Sequence, residues 1–323
     1  MPDLIYDIAI IGAGPGGYHA AIRAAQYGAK VALIEKEKLG GTCLNRGCIP
    51  TKALYASVES IEKLKDFEDF GIKIIDYTLD FKKAVERKNR IVEELVNGIE
   101  VLEKAWKNDI YFGHGKIIGG SKTSGFTISI QDENHTLIKA KSVILATGSS
   151  PALIPSFNID HEKILTSDDI LDPNFITVPD KLLIIGAGVI GCEFANIFAS
   201  FGSKVTMLEY LSSPIATEEH MIVKELIKKF NELEIEIKTS QNVLSITNTG
   251  SGVKAITCAA SVPKDKIEEA EKFIFEADLC LVSIGRVKES KDLGLEALGI
   301  KTDRGAIKCN SNTLETSVDG IYA

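Results

Sequence analysis

The sequence predicts an α/β chain built from two β-α-β units of one plan. Three observations lead there. Apolar strands run straight into two G-x-G-x-x-G strings, at Gly12, Gly14 and Gly17 and again at Gly186, Gly188 and Gly191. A helical stretch and then a second apolar strand follow each string. Each second strand ends on a glutamate, Glu35 or Glu209, and each glutamate stands twenty-three residues after the first glycine of its string. A glycine string is a weak signal alone. Set between strand and helix, closed by an acid and repeated at one spacing, it predicts two Rossmann-like dinucleotide-binding domains.

Size and composition agree. A chain of 323 residues suits two domains. Hydrophobic residues at 45% and charged residues at 25% match a globular protein and exclude a disordered tail or a disulfide-stapled miniprotein. The 37 basic and 45 acidic residues leave a net charge of −8. With no long basic run, neither nucleic acid nor an anionic membrane is an expected partner. The opening Met-Pro-Asp-Leu-Ile-Tyr-Asp has no basic n-region, so no secretory leader is expected. No apolar run reaches 18 residues, so no membrane-spanning helix is expected either. Six cysteines stand at 43, 48, 192, 258, 280 and 309, and only the first two are close. That is no framework of structural bridges, and a cytoplasmic location fits. No metal site is expected.

The elements follow in order. Leu4 to Ile11 is a buried strand, covered on both faces. A helix over Tyr18 to Tyr27 is stopped by Gly28, and a strand runs from Lys30 to Ile34. Helices are expected over Thr51 to Phe67 and Phe81 to Trp106. The second carries apolar residues at Val85, Ile91, Val92, Leu95, Val96, Ile99 and Leu102. Short strands surround a Gly-Ser-rich turn at Gly119 to Gly125, and a strand over Lys141 to Ala146 ends in Ala146-Thr147-Gly148-Ser149. Pro151 and Pro155 mark a crossover between domains. The second unit has a strand over Lys181 to Ile185, a helix from about Cys192 to Phe201 stopped by Gly202, and a strand over Lys204 to Leu208. A helix near Glu218 to Leu233 and a strand-rich segment lead to a strand over Ala277 to Ile284, which ends in Gly285-Arg286.

The chemistry sits on three strings. Around Gly12, Gly14, Gly16 and Gly17, glycine permits a tight turn and lets backbone reach a pyrophosphate at the positive end of a helix. Glu35, followed by Lys36, would accept hydrogen bonds from ribose hydroxyls; the plainer reading is a turn beside a surface glutamate. Around Gly186, Gly188, Val189, Ile190 and Gly191, the closing Glu209 would bind the free 2′-hydroxyl of NAD and repel the 2′-phosphate of NADP. No arginine stands within three residues of it. The third string is Gly40-Gly41-Thr42-Cys43-Leu44-Asn45-Arg46-Gly47-Cys48-Ile49-Pro50-Thr51-Lys52. Cysteines five apart on a regular helix are too distant to bridge, since their α-carbons must lie within about 7 Å. A bridge therefore needs a distorted turn, helped by Gly47 and Pro50. A helix N-terminus also favours thiolate. The string reads as a redox-active pair, or more blandly as two reduced core cysteines.

The string from Gly40 to Lys52 resembles the redox site of the flavin-dependent pyridine nucleotide–disulfide oxidoreductases, in the form carried by their dihydrolipoamide dehydrogenase branch. The resemblance runs along essentially the whole chain. It includes both glycine strings, Ala146-Thr147-Gly148, Ser283-Ile284-Gly285-Arg286 and the final Thr316-Ser317-Val318-Asp319-Gly320-Ile321-Tyr322-Ala323. It implies an NAD domain, 151–280, inserted into an FAD domain made of 1–150 and an incomplete 281–323. It implies FAD at the first unit, NAD at the second, and oxidation of dihydrolipoamide through Cys43–Cys48. Cys48 would face the flavin and Cys43 would exchange with substrate. Lys52 would sit by the flavin ring, paired with Glu193; two solvated surface residues are the alternative. Gly41, Thr42, Gly115, Ala146, Thr147, Gly148 and Ser149 would contact FAD. Val243, Gly285 and Arg286 would lie along NAD, Val243 being as well explained by a core strand. Partners implied are a lipoyl-bearing domain of a 2-oxoacid dehydrogenase or glycine cleavage complex, and a second copy of the full-length chain.

Departures are visible too. The family usually has proline and asparagine soon after the Gly285-Arg286 pair, where this chain has Val287-Lys288-Glu289-Ser290. Cys192 replaces a residue that is commonly aliphatic, while Cys258, Cys280 and Cys309 match no family redox position and are expected to be buried structural thiols. The family's flavin-holding Gly-Asp pair and its interface domain with a His-Glu pair would follow Ala323. None of His19, His114, His135, His161 and His220 stands in such a context, so weak lipoamide turnover is expected of these residues alone. Rival readings are a mercuric or glutathione reductase-like enzyme and a non-catalytic nucleotide-binding remnant.

Overall fold

The computed structural model describes residues 5–323, the side chain of Lys65 aside. Leu4, where the first strand is expected to begin, lies outside the described residues, as does the rest of the 1–4 segment. In chain order, β1 (Ile5–Ile11) leads into α1 (Pro15–Gln26) and β2 (Val31–Glu35). Then come α2 (Gly41–Arg46), α3 (Cys48–Asp66) and α4 (Phe81–Ala105). Strands β3 (Asp109–Phe112), β4 (His114–Ser121), β5 (Gly125–Gln131), β6 (Leu137–Leu145) and β7 (Ser149–Pro151) follow. Next are β8 (Ile164–Thr166), α5 (Ser167–Ile170), β9 (Lys181–Ile185), α6 (Val189–Ser200), β10 (Lys204–Leu208) and α7 (His220–Glu232). After them come β11 (Glu236–Lys238), β12 (Gln241–Asn248), β13 (Val253–Ala259), β14 (Phe273–Ala277) and β15 (Leu279–Val282).

The chain divides into two compact units. One comprises Met1–Ile49, Val92–Ser150 and Val287–Ala323; the other comprises Pro50–Ile91 and Pro151–Arg286.

In the first unit a sheet runs β3-β2-β1-β6-β5-β4, with Ile321–Tyr322 also paired to β6. β1 lies parallel to β2 and β6, with Ile11 opposite both Ile34 and Leu145. Its apolar run is buried twice over because successive side chains alternate faces. Ile10, with Val31 and Leu33, packs with Ala21 of α1, Leu39, Leu44 and Ile99. Ala9, Ile11, Ala32 and Ile34 turn the other way, onto Ile117, Phe126 and Ile128. In the second unit a fully parallel sheet runs β11-β10-β9-β15-β8. β9 is flanked as β1 is, with Ile185 opposite Leu208 and Val282. A separate antiparallel ribbon, β12-β13-β14, completes it. Each glycine string thus leaves the carboxyl end of a central strand, where neighbouring strands diverge and ligands bind in open α/β sheets.

The differences from the sequence reading are local. α1 and α6 begin three residues earlier than expected, at Pro15 and Val189, because the fingerprint glycines themselves enter the helix after Gly14 and Gly188 as N-caps. α3 begins at Cys48, not Thr51; Pro50 then falls in the first turn, where a missing N–H costs nothing. The expected strand over Ala277 to Ile284 is two: β14 belongs to the ribbon and β15 to the parallel sheet. The described residues contain no helix long and apolar enough to cross a membrane.

Candidate functional site

The two glycine loops are built alike. Gly12 has φ +101° and Gly186 φ +97°, a conformation glycine tolerates and bulkier residues resist. The Gly12 N–H donates to Ile34 O and the Gly186 N–H to Leu208 O, each at 2.8 Å. A Cβ on Gly12 would fall 2.3 Å from Ala146 O, and one on Gly186 would fall 2.6 Å from Ser283 O. The third glycines allow helix and loop to close: a Cβ on Gly17 would lie 1.8 Å from Gly12 O, and one on Gly191 2.1 Å from Gly186 O.

The closing carboxylates match as well. Glu35 is 7% exposed, and its Oε2 accepts the Ala13 N–H at 2.8 Å while Oε1 accepts the Glu37 N–H at 2.9 Å. Glu209 Oε2 accepts the Ala187 N–H at 2.6 Å and Oε1 the Leu211 N–H at 2.8 Å. An ionised carboxylate has about four acceptor sites. Backbone fills two and fixes each carboxylate's orientation, and among the described residues two remain open.

In the first unit, Gly12, Glu35, Lys36, Gly115 and Thr147 line one cavity with Gly113, His114, Glu289 and Lys291. A Cβ on Gly115 would press on Ile34 Cγ2 at 3.1 Å. The Gly41 backbone closes on the glycine loop: with φ +55°, its Cβ would fall 2.6 Å from Gly14 Cα. Thr42 Oγ1 donates to Ser149 O at 3.5 Å. Gly14, Gly16, Gly17, Ala146 and Gly148 stand in the same loops without walling the cavity. The segment that departs from the family pattern is held by backbone. The Glu289 N–H donates to Gly148 O at 3.0 Å, and the Thr147 hydroxyl donates to Glu289 O. Those contacts do not depend on the side chain at 289.

The cysteines flank a break. α2 carries Cys43, α3 starts on Cys48, and Gly47 between them has φ −153°, ψ −115°, outside helical geometry. A Cβ on Gly47 would meet Thr42 O at 3.0 Å and Cys43 Cα at 3.4 Å. The expected distorted turn is present. Cys43 is half-buried and Cys48 exposed. Asn45 Nδ2 donates to Leu39 O at 2.9 Å and Gly41 O at 3.0 Å, pinning the loop. Burial, then the charge of Cys43, pushes the Tyr18 hydroxyl up, which marks Tyr18 as a neighbour of that thiol. Sequence reasoning gave neither Asn45 nor Tyr18 a role, although Asn45 stands inside the cysteine string and Tyr18 opens the first expected helix.

In the second unit, Gly186, Gly188, Val189, Ile190, Glu209, Val243 and Gly285 line a cavity of about 610 Å³. Tyr210, Gln241, Asn242, Ser283 and Ile284 line it too, and among the described residues no lysine, arginine or histidine does. Gly191 stands behind the loop, where Ser283 Oγ donates to Ile185 O and Gly186 O at 3.1 Å. Arg286 is not in this wall; its Nη1 lies 3.7 Å from Asp168 Oδ1. Lys52 is exposed and Glu193 half-buried. Burial pushes the Glu193 carboxyl up, and Lys52 pulls it back, so the two feel each other's charge. Gln241 and Asn242 were missed because strand residues carry no local signal of what they face.

Among the other thiols, Cys258 and Cys280 are buried, as expected, and Cys192 is buried too. Burial, then Glu209 and Glu193, pushes Cys192 up to about 12. Cys309 corrects the expectation: it is exposed, bridged only through backbone to Thr316 at the surface.

Comparison with known proteins places this geometry. The family described as pyridine nucleotide-disulphide oxidoreductase matches residues 6–323. The chain is 40% identical over 326 positions to the dihydrolipoyl dehydrogenase of Bacillus subtilis (strain 168), covering 98% of this chain and 66% of that protein. It is 39% identical over 323 positions to the dihydrolipoyl dehydrogenase of Acholeplasma laidlawii, covering 98% and 88%. Among solved structures, LpdA from Mycobacterium tuberculosis aligns with TM-score 0.86 and 26% identity over 99% of this chain and 67% of that one. The HOCl-induced flavoprotein disulfide reductase RclA from Escherichia coli aligns at 0.80 and 28% over 98% and 65%. The chain thus spans just under two thirds of the Bacillus subtilis relative's length. On the family match, the identities and the shared fold, the chain belongs to the pyridine nucleotide-disulphide oxidoreductases.

Proposed function

We propose that the chain carries the nucleotide and disulfide sites of a dihydrolipoyl dehydrogenase, which oxidises dihydrolipoamide and reduces NAD⁺. One observation carries the reading: each unit holds a carboxylate-closed glycine loop of one geometry, and the chain also carries a cysteine pair split at Gly47. The first loop fits FAD. Gly12 and Gly17, like Gly186 and Gly191 in the second loop, leave no room for a Cβ, and Glu35 keeps two acceptor sites. The second fits NAD for the same reasons, with a cavity wall free of the basic side chains a 2′-phosphate would need. In this reading the FAD domain is 1–150 with 281–323, and the NAD domain is 151–280.

When bound, the flavin supplies the two-electron chemistry that links a dithiol to a nicotinamide. The chain's own residues do the rest. Cys43 exchanges with the substrate sulfur, and Cys48 receives the electron pair as the bridge opens. Lys52 provides positive charge at the flavin and Glu193 keeps it oriented. Glu35 and Glu209 hold the two adenosine riboses, and Gly41 and Thr42 close over the first pyrophosphate. Gly115, Ala146, Thr147, Gly148 and Ser149 complete the flavin site; Val243 and Gly285 line the nicotinamide nucleotide site. Arg286 follows Gly285 along that site, with its Nη1 3.7 Å from Asp168 Oδ1. The partners in this reading are a lipoyl-bearing domain of a 2-oxoacid dehydrogenase or glycine cleavage complex and a second copy of the full-length chain. Cysteine usage supports a cytoplasmic setting.

The test is the visible spectrum of the purified protein, alone and with added FAD, during anaerobic titration with dithiothreitol. A flavin spectrum that gains a long-wavelength band, and does so only while Cys48 is intact, supports the reading. Protein that retains no flavin once unbound FAD is removed by gel filtration sinks it.

A further inference from the structure

We propose that Gln241 reads the adenosine end of the nucleotide held at Glu209, with the Thr257 hydroxyl fixing its amide for the task. The proposal rests on the NAD reading of that cavity. Gln241 opens β12, and its backbone N–H donates to Glu209 O at 2.8 Å. The Glu209 carboxylate is already oriented by two backbone N–H groups toward the ribose position. The residue tied to the Glu209 carbonyl therefore stands beside the ribose and its base, not at the nicotinamide end near Gly285.

The side chain's direction follows from the strand. Residues two apart share a face, so Gln241 and Val243 share one; both line the cavity, as does Asn242 between them. Val243 lies opposite Thr257 and Gln241 opposite Ala259, which makes Gln241 and Thr257 diagonal neighbours. Thr257 is fully buried, and its Oγ1 donates to Gln241 Oε1 at 2.7 Å. A buried hydroxyl needs such an acceptor. The contact sets the amide: its oxygen is taken by Thr257, and Nε2 keeps two donors. Among the described residues no acceptor of the chain takes them. Adenine offers ring-nitrogen acceptors on its edges, and the ribose offers oxygens. With no lysine, arginine or histidine in the wall, a neutral amide is the donor placed to read them.

The test is titration of NADH and ADP-ribose into the protein, comparing the parent with Q241L, Q241E, T257V and T257S. ADP-ribose carries the adenosine but no nicotinamide. Q241L is expected to lose about three- to tenfold in affinity for both ligands alike, the size of one hydrogen bond. Q241E keeps the acceptor for Thr257 but replaces the donors, and is expected to lose at least as much without loss of folding. T257V is expected to weaken both ligands less, and T257S to bind as the parent does. Parent-like binding by Q241L overturns the proposal. So does a loss confined to NADH, which would put Gln241 at the nicotinamide end. A parent that binds neither ligand overturns the NAD reading itself, an outcome distinct from a parent that binds and a Q241L that binds equally well.

Discussion

Asn108 Nδ2 donates to Glu103 Oε2 at 2.6 Å, while Glu103 Oε1 and Asn108 Oδ1 are both buried without a partner among the described residues. Glu103 is 0% exposed and Asn108 6%. Two orphaned acceptors on groups already joined by their other arms call for one proton between them, carried by the acid. Burial pushes the Glu103 carboxyl above the ordinary carboxylate range, with the Asn108 hydrogen bond and His19 pulling the other way. The folded state then binds this proton more tightly than the unfolded chain does. The contribution is full below the unfolded value and is lost as pH rises through the folded one. E103Q supplies a permanent N–H for Asn108 Oδ1. It should match or exceed the parent's stability at neutral pH and lose that part of the slope. E103A, which strands the amide, should cost about 1–3 kcal/mol. Urea melts from pH 4 to 8 check both; a parent and E103Q with identical slopes would refute the neutral acid.

Lys88 gives the opposite sign. It is 1% exposed, and its ammonium donates to Leu171 O at 2.7 Å and Asp172 O at 3.3 Å. Burial pulls it down to about 8, with Asp172 offsetting part of the effect. Its folded value lies below the unfolded one, so the unfolded chain binds more protons between them, and stability should rise across that window as pH rises from about 8 toward 10. K88M should flatten this rise. It should also destabilise, because it leaves two carbonyls at the end of α5 without their donor. Denaturant midpoints at pH 7 and pH 10 decide the point.

The third glycines of the two loops should separate the two cofactors. G17A and G191A each place a methyl about 2 Å from a loop carbonyl. Neither loop can yield without moving its helix, and such overpacking costs about 1–3 kcal/mol. G17A should lower the flavin absorbance retained per chain, and G191A should weaken NADH while leaving the flavin in place. Loss of both cofactors from either variant would mean the loops are not independent sites.

The legible part of this fold was its punctuation. Gly12 and Gly186 announce positive-φ turns, Glu35 and Glu209 announce strand ends, and Gly47 between the cysteines announces a break; each is a local constraint on the backbone. Gln241, Asn242, Tyr18 and Glu103 were not legible, because what matters about them is the element they face. An alternating strand pattern says that Gln241 shares a side with Val243, but not that the side is a cavity wall. Cys309 misled for the same reason: a cysteine's usual burial says nothing of a turn near the surface. Arg286 sits in a quoted motif, yet its partner, Asp168, is more than a hundred residues away.

Glu209 is the residue whose charge should decide the nucleotide. Its two backbone donors hold the carboxylate at the loop, and nothing basic lines the surrounding wall. A free 2′-hydroxyl donates to that carboxylate, whereas a 2′-phosphate meets a like charge with no cation to offset it. E209A removes both effects. NADH affinity should fall about tenfold or more, the loss of a charge-assisted hydrogen bond, and NADPH should change little, so the preference narrows. Tyr210 is 58% exposed on the same wall. E209A with Y210R should go further and prefer NADPH, because the guanidinium then supplies the missing partner for phosphate. Parallel titrations of both nucleotides measure the ratio. A parent that already favours NADPH would show that Glu209 does not face the 2′ position at all.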